Sequence, residues 1–145
     1  SSKENKSFYL NIDEKSEKMV LKLDKERIDI AKKLNIKTPS LVNWFENVYG
    51  IQPSKGLKNI LNNDIYNKIK INNAKVSRYL FEEIPYGLIP LIELGNVLDL
   101  KMSNMIKISN KSKKFLSPSM LNSARTFKNL NIKKNELIDM INNND

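Results

Sequence analysis

The chain has 145 residues, a formal net charge of +9, no cysteine and no histidine. This length suits one domain. The missing cysteines exclude disulfides and thiolate metal sites, and the missing histidines remove the usual acid/base group at neutral pH. An enzyme made from this chain alone would therefore need a carboxylate, a lysine or a tyrosine in that role.

Targeting signals and membrane spans are not recognisable in the sequence. No apolar run approaches the roughly 20 residues that a transmembrane helix needs. The first residues are polar and lack the apolar core of a secretory signal, and the chain does not begin with methionine. We expect a cytoplasmic protein, and we expect this chain to be a processed or excised part of a longer one.

The basic charge is carried mainly by lysines that are scattered along the chain, with only three arginines. Lysine, asparagine and isoleucine are abundant together, which is typical of a compositional bias rather than of a selected binding patch. A solvated basic surface is the favoured interpretation. A basic helical module that binds nucleic acid or an acidic protein is the alternative, and a self-associating interaction domain is a third.

Helical periodicity dominates the first half of the chain. Apolar residues recur every three or four positions from Glu14 to Leu34, which predicts an amphipathic helix. Thr38-Pro39 predicts the start of a second helix, and Gly50 its end. We expect the aromatic residues of this second helix in the core, with the wall of a substrate pocket as the alternative for Trp44, Phe45 and Tyr49. Shorter helices are predicted after the caps Ser54 and Asp64, followed by a loop over 72–77.

The second half contains further helical patterns. Pro85 suits the first turn of a helix that continues to Leu98. Another amphipathic helix is predicted from Met102 to Phe115, with lysines that complement its C-terminal end. Ser117-Pro118 opens a last region, and a short terminal helix covers Glu136 to Ile141. The sequence therefore predicts an all-α fold, a single compact helical domain of about six to eight helices.

Motifs that hold nucleotides or metals are missing from the sequence. There is no GxGxxG turn after a strand, no GxxxxGK[ST] loop, and no HExxH, CxxC or EF-hand pattern. We expect neither a cofactor nor a metal ion to bind to this chain by itself.

One stretch is much more specific than the rest. "RYLFEEIPYGLIPLIELG", which begins at residue 78, closely resembles the "RYxxEDVPxGLVPxxxLG" signature of the C-terminal helical domain of opine dehydrogenases, the octopine/nopaline dehydrogenase family. "LDKERIDIAKKLNI", "SLVNWFENVYG" and "ARTFKNLNI" resemble other family segments in the same order. The resemblance extends roughly from Phe8 to Ile141.

The resemblance implies a two-domain oxidoreductase. A Rossmann domain, which would precede this chain, would bind NAD or NADP. Residues 1–145 would form the substrate-binding helical domain, where an amino acid and a 2-oxo acid are condensed and reduced to an opine. The domain would contact its own Rossmann domain, and the enzyme could form a homo-oligomer. The family's catalytic histidine would lie upstream of Ser1, so we expect the chain alone to be inactive.

The resemblance also implies roles for individual residues. Arg78 matches the arginine that holds a substrate carboxylate, and Glu83 matches the acidic partner of the catalytic histidine, although the family usually has Asp there. The alternative is that Arg78 and Glu83 form an ordinary ion pair. Tyr79 and Tyr86 flank the motif as candidate pocket residues or as core or rim residues. Trp44 and Arg125 complete the candidate pocket residues; for Arg125 we expect a structural tie between helices, with a ligand contact as the alternative.

Overall fold

The computed structural model describes residues 13–50, 56–61 and 80–143, and within them it contains helices and no β-strand. The α-helices are α1 (Glu14–Lys33), α2 (Leu41–Tyr49), α3 (Gly56–Leu61), α4 (Ile89–Val97), α5 (Ser103–Lys113), α6 (Pro118–Asn122) and α7 (Lys134–Asn142). A π-helical turn, Ile84–Leu88, leads directly into α4. The all-α fold that the sequence predicts is thus confirmed. None of the described helices is long and apolar enough to cross a membrane.

Helix α1 forms where the periodicity predicts it. Asp13 caps its N-terminus, because the Asp13 carboxylate accepts a hydrogen bond from the Ser16 backbone N–H at 2.7 Å. Hydrogen bonding by the Ser16 side chain, and then by the Ser16 backbone N–H, lowers the pKa of the Asp13 carboxyl. Acidic residues occupy the first turn and lysines the last, so both ends complement the helix dipole.

Helix α2 begins two residues later than the sequence predicts. Its N-cap is Ser40, whose hydroxyl accepts a hydrogen bond from the Asn43 backbone N–H at 3.1 Å. Thr38 and Pro39 instead belong to the connection from α1, where both bind the Arg27 guanidinium. The predicted end is correct: Gly50 has a left-handed backbone with φ of 65°, which glycine adopts without strain.

Several other predicted elements can be compared with the structure. The helices that were predicted from Met102 and around Glu136 correspond to α5 and α7, and Ser117 caps α6 through the Met120 backbone N–H. The Ser54 cap, the helix after Asp64 and the loop over 72–77 lie outside the described residues.

Two hydrophobic clusters use different parts of α1. In the first, Val20 of α1 packs against buried residues of α2 and α3, which are Phe45, Leu57 and Ile60. In the second, buried Ile30 packs with Met102 and Met105, and leucines and isoleucines of α4 and its flanking turns surround them. Helix α1 therefore contributes side chains to both hydrophobic clusters.

A buried carboxylate joins α1 to α5. Glu26 is only 7% exposed, and its two oxygens accept the backbone N–H groups of Asn104 and Met105 at 2.7 and 2.9 Å. The Asn104 side-chain amide adds a third hydrogen bond at 2.8 Å. Because Met102, the N-cap residue of α5, makes no side-chain cap hydrogen bond, Glu26 supplies the cap from a distant part of the chain.

Candidate functional site

The structure describes four of the six residues that the sequence proposed for the site. Glu83, Tyr86, Trp44 and Arg125 are described, whereas Arg78 and Tyr79 lie outside the described residues. The positions of those two side chains relative to the others therefore stay predictions.

Glu83 presents an exposed carboxylate directly before the π-helical turn. Its oxygen Oε2 lies 3.4 Å from the position that a Cβ atom on Gly87 would occupy, so the carboxylate lies over the bare backbone of the next turn. Among the described residues, no hydrogen-bond donor and no cation pairs with the Glu83 carboxylate. The alternative of an ordinary ion pair between Arg78 and Glu83 stays open, because Arg78 lies outside the described residues.

The helix around Glu83 departs from the predicted start at Pro85. Residues 80–83 are already helical, and Pro85 lies inside the π-helical turn rather than at a helix start. Proline cannot donate a backbone hydrogen bond, and Pro85 and Pro90 therefore interrupt the α-helical pattern twice. The Ile89 N–H donates to the carbonyl of Ile84, five residues back, as a π-helical register requires.

This register leaves the Pro85 carbonyl without a helical partner. In an α-helix its donor would be Ile89, which is already bonded to Ile84, and in a π-helix it would be Pro90, which has no N–H. The Arg125 backbone N–H fills the gap by donating to the Pro85 oxygen at 3.1 Å. The Arg125 backbone therefore joins its own turn to the π-helical turn.

The Arg125 side chain extends over Tyr86. Its guanidinium carbon lies 5.6 Å from the centroid of the Tyr86 ring, a cation–π contact. The Tyr86 hydroxyl lies 3.0 Å from the Ser123 hydroxyl, which in turn donates to the Met120 carbonyl at 2.8 Å. Because Ser123 has one hydroxyl hydrogen, Tyr86 is the donor between them. Tyr86 is 43% exposed, so it lies at the surface and not in the core.

The turn that presents Arg125 is fastened by polar contacts that the sequence did not reveal. Glu93 of α4 accepts the Phe127 backbone N–H at 2.7 Å. The Asn129 side-chain amide donates to the carbonyls of Asn122 and Ala124, each at 2.7 Å. Ala124 is 1% exposed in this turn.

Trp44 belongs to a different surface. It is 42% exposed and contacts Phe45 and Tyr49 of its own helix edge-on, with ring centroids 5.2 and 5.9 Å apart. Phe45 is buried as expected, but the expectation that Trp44 lies in the core is wrong, and Tyr49 is 37% exposed. Of the ring contacts between described residues, none joins Trp44 to Tyr86.

The described residues do not offer a dinucleotide or metal site. None of their acidic side chains form a group of three or more that could hold a metal ion. A dinucleotide pyrophosphate is normally held by a glycine-rich strand-to-helix turn. The described glycines lie at a helix end, a helix start, the π-helical turn and the helix interior, so these residues do not fit NAD or NADP.

Comparison with known proteins identifies the family. Residues 1–116 match the model of the NAD/NADP octopine/nopaline dehydrogenase alpha-helical domain, a span that includes Glu83 and Tyr86 and ends before Arg125. No curated protein matches the chain. The family match covers most of the sequence and agrees with the all-helical structure. The chain therefore belongs to the NAD/NADP octopine/nopaline dehydrogenase family, with the family's alpha-helical domain as its matching part.

Proposed function

We propose that this chain forms the substrate-binding side of an opine dehydrogenase, an enzyme that reductively condenses an amino acid with a 2-oxo acid and consumes NADH or NADPH. Family membership supports the reaction class. The observation that carries the proposal is Glu83, a carboxylate that is exposed at the motif and unpaired among the described residues. The chain has no histidine, so the complete site needs a second domain.

Glu83 acts in this proposal as the partner of a histidine from outside the chain. A carboxylate beside an imidazole fixes its tautomer and stabilises the imidazolium that forms during proton transfer. Gly87 does not obstruct this role, because even a Cβ atom there would lie 3.4 Å from the Glu83 Oε2, an ordinary van der Waals distance. Glutamate in place of the family's usual aspartate is one methylene longer, which requires a slightly larger separation from the histidine.

Arg78 holds the carboxylate of the 2-oxo acid in this proposal. A guanidinium presents two parallel N–H groups to a carboxylate, and such charge-assisted pairs also fix the orientation of the bound group. The support is the sequence motif, in which Arg78 precedes Glu83 as the family pattern requires.

The cofactor belongs elsewhere in the enzyme. Since the described residues do not fit a dinucleotide, NAD or NADP is bound by a Rossmann domain in the complete protein. That domain also provides the second wall of the substrate pocket, and the chain alone is inactive.

The test is the intact gene product, assayed for NADH and NADPH oxidation with pairs of amino acids and 2-oxo acids. In an active enzyme, Glu83→Gln should lower kcat by roughly 10²- to 10⁴-fold, as expected when a catalytic histidine loses its acidic partner. The pH dependence of kcat/KM should also move, because a neutral amide no longer raises the pKa of the histidine. Asp139→Asn, which removes an exposed carboxylate of α7, is the charge-matched control and should have no effect.

Arg78→Ala gives a second, independent result. It should lower kcat/KM for the 2-oxo acid by roughly 30- to 1,000-fold, because about 2–4 kcal/mol of transition-state binding is lost with the charged partner. A wild-type protein that is inactive with every substrate pair would overturn the proposal. An active enzyme whose Glu83→Gln and Asp139→Asn variants behave alike would remove Glu83 from the mechanism.

A further inference from the structure

An opine has two carboxylates, one from the amino acid and one from the 2-oxo acid, and the proposed function gives a cation to only one of them. Binding two carboxylates side by side without a second cation would be costly, since each charge loses water. We infer that Arg125 binds the carboxylate of the amino acid. This inference rests on the proposed function and assigns the second half of its substrate site.

The first support is the state of the Arg125 side chain. Arg125 is exposed, and within the described residues its guanidinium has no carboxylate or hydrogen-bond acceptor. The guanidinium carbon lies over the Tyr86 ring, 5.6 Å from its centroid, and no described acceptor binds its N–H groups. A guanidinium that is placed by a cation–π contact and has no bound acceptor is suited to bind a planar carboxylate.

The second support is the attachment of Arg125 to the catalytic motif. Its backbone N–H donates to the carbonyl of Pro85, only two residues after Glu83, and Pro85 itself is almost fully buried. The stacked Tyr86 is the next residue, and its hydroxyl is held by Ser123. Arg125 is therefore anchored twice to the turn that follows the proposed catalytic carboxylate.

The third support is that Arg125 and Glu83 do not neutralise each other. They lie on adjoining segments, yet no ion pair joins them in the described structure. The two charges are thus available for different groups of a bound substrate: the guanidinium for a carboxylate, and the glutamate for the histidine that exchanges a proton.

Pro90 acts as a positioning residue for this cation. Because it lacks an N–H, it leaves the Pro85 carbonyl open to the Arg125 backbone. Any other residue at this position would present a competing donor from the π-helical register. Pro90→Ala should therefore displace the Arg125 turn while leaving the side-chain chemistry of Glu83 intact.

The experiment measures KM separately for the amino acid and the 2-oxo acid in the intact enzyme. Arg125→Gln keeps the backbone hydrogen bond to Pro85 but removes the charge, so the amino-acid KM should rise by about 10- to 100-fold, as for loss of a charged hydrogen-bonded pair. The 2-oxo-acid KM should stay within about threefold. The amino-acid KM of Arg125→Lys should lie between those of wild type and Arg125→Gln, because an ammonium group keeps the positive charge but lacks the two parallel N–H donors of a guanidinium. Lys128→Gln, an exposed charge on the same turn, should match wild type.

Pro90→Ala and thermal unfolding complete the design. Pro90→Ala should raise the amino-acid KM selectively. Arg125→Gln should unfold within a few degrees of wild type, because an exposed cation–π contact contributes little to the free energy of unfolding. An active wild-type enzyme with unchanged amino-acid KM in Arg125→Gln would overturn this inference alone, as would a selective rise in the 2-oxo-acid KM. A wild-type protein that is inactive with all substrate pairs would overturn the proposed function, and this inference with it.

Discussion

Glu26→Gln is predicted to destabilise the domain by removing the charge that caps α5. The carboxylate is 7% exposed and accepts hydrogen bonds at 2.7, 2.8 and 2.9 Å from Asn104 and Met105. Glutamine keeps one acceptor oxygen but turns an N–H₂ donor toward a backbone N–H donor. It also removes a negative charge from a helix N-terminus.

The magnitude follows from these two losses. One charge-assisted hydrogen bond contributes about 1.5–3 kcal/mol, and a carboxylate at a helix N-terminus contributes about 0.3–1 kcal/mol. Since the retained oxygen recovers part of this, we expect a decrease in the free energy of unfolding of roughly 2–3 kcal/mol. The loss should persist at high salt, because a buried interaction is screened much less than an exposed one.

The assay is urea unfolding of the intact protein, followed by far-UV circular dichroism, together with hydrogen exchange of the Asn104 and Met105 amides. Both amides should exchange faster in Glu26→Gln. Glu14→Gln is the matched control on the same helix, where the carboxylate pairs with Lys18 at 2.6 Å but the side chains are 78% and 68% exposed. This exposed pair should contribute little. Equal unfolding curves for the two variants would refute the structural role of Glu26.

Three further predictions concern other parts of the fold. Gly95→Ala should destabilise the protein by about 1–3 kcal/mol, because a Cβ atom would overlap the buried Met102 side chain. In a double-mutant cycle measured by urea unfolding, Gly95→Ala with Met102→Ala should lower the free energy of unfolding by less than the sum of the two single changes. Arg27→Lys should lower the free energy of unfolding by about 1–2 kcal/mol, because lysine cannot reproduce the fork that binds α1 to the following loop; unfolding identical to wild type would contradict this. The Asp13 cap should stabilise α1 at pH values above the ordinary pKa of the carboxyl, and this stabilisation should be lost as the pH falls through the lowered pKa of the folded state. Asp13→Asn should therefore reduce the loss of stability at acidic pH. An unchanged loss of stability at acidic pH would argue against the cap.

Much of the fold could be predicted from local sequence. The apolar period of α1 and the glycine that ends α2 depend on interactions within one or two helical turns, and the structure confirms both. The family could also be recognised, because the motif around Glu83 is a contiguous stretch whose order and spacing are specific. The residues of the proposed chemistry therefore came from the sequence.

The tertiary structure decided how distant residues complete these local patterns. Glu26 caps a helix 78 residues away, and the start of α5 gives no hint of it because no local side chain caps Met102. Likewise, Pro85 predicts the start of a helix, and the local sequence does not indicate that the Arg125 backbone donates to the Pro85 carbonyl. In each case the local sequence shows that a backbone group lacks a hydrogen-bond partner nearby, but not which residue supplies that partner. Which residue satisfies it depends on the packing of the whole domain.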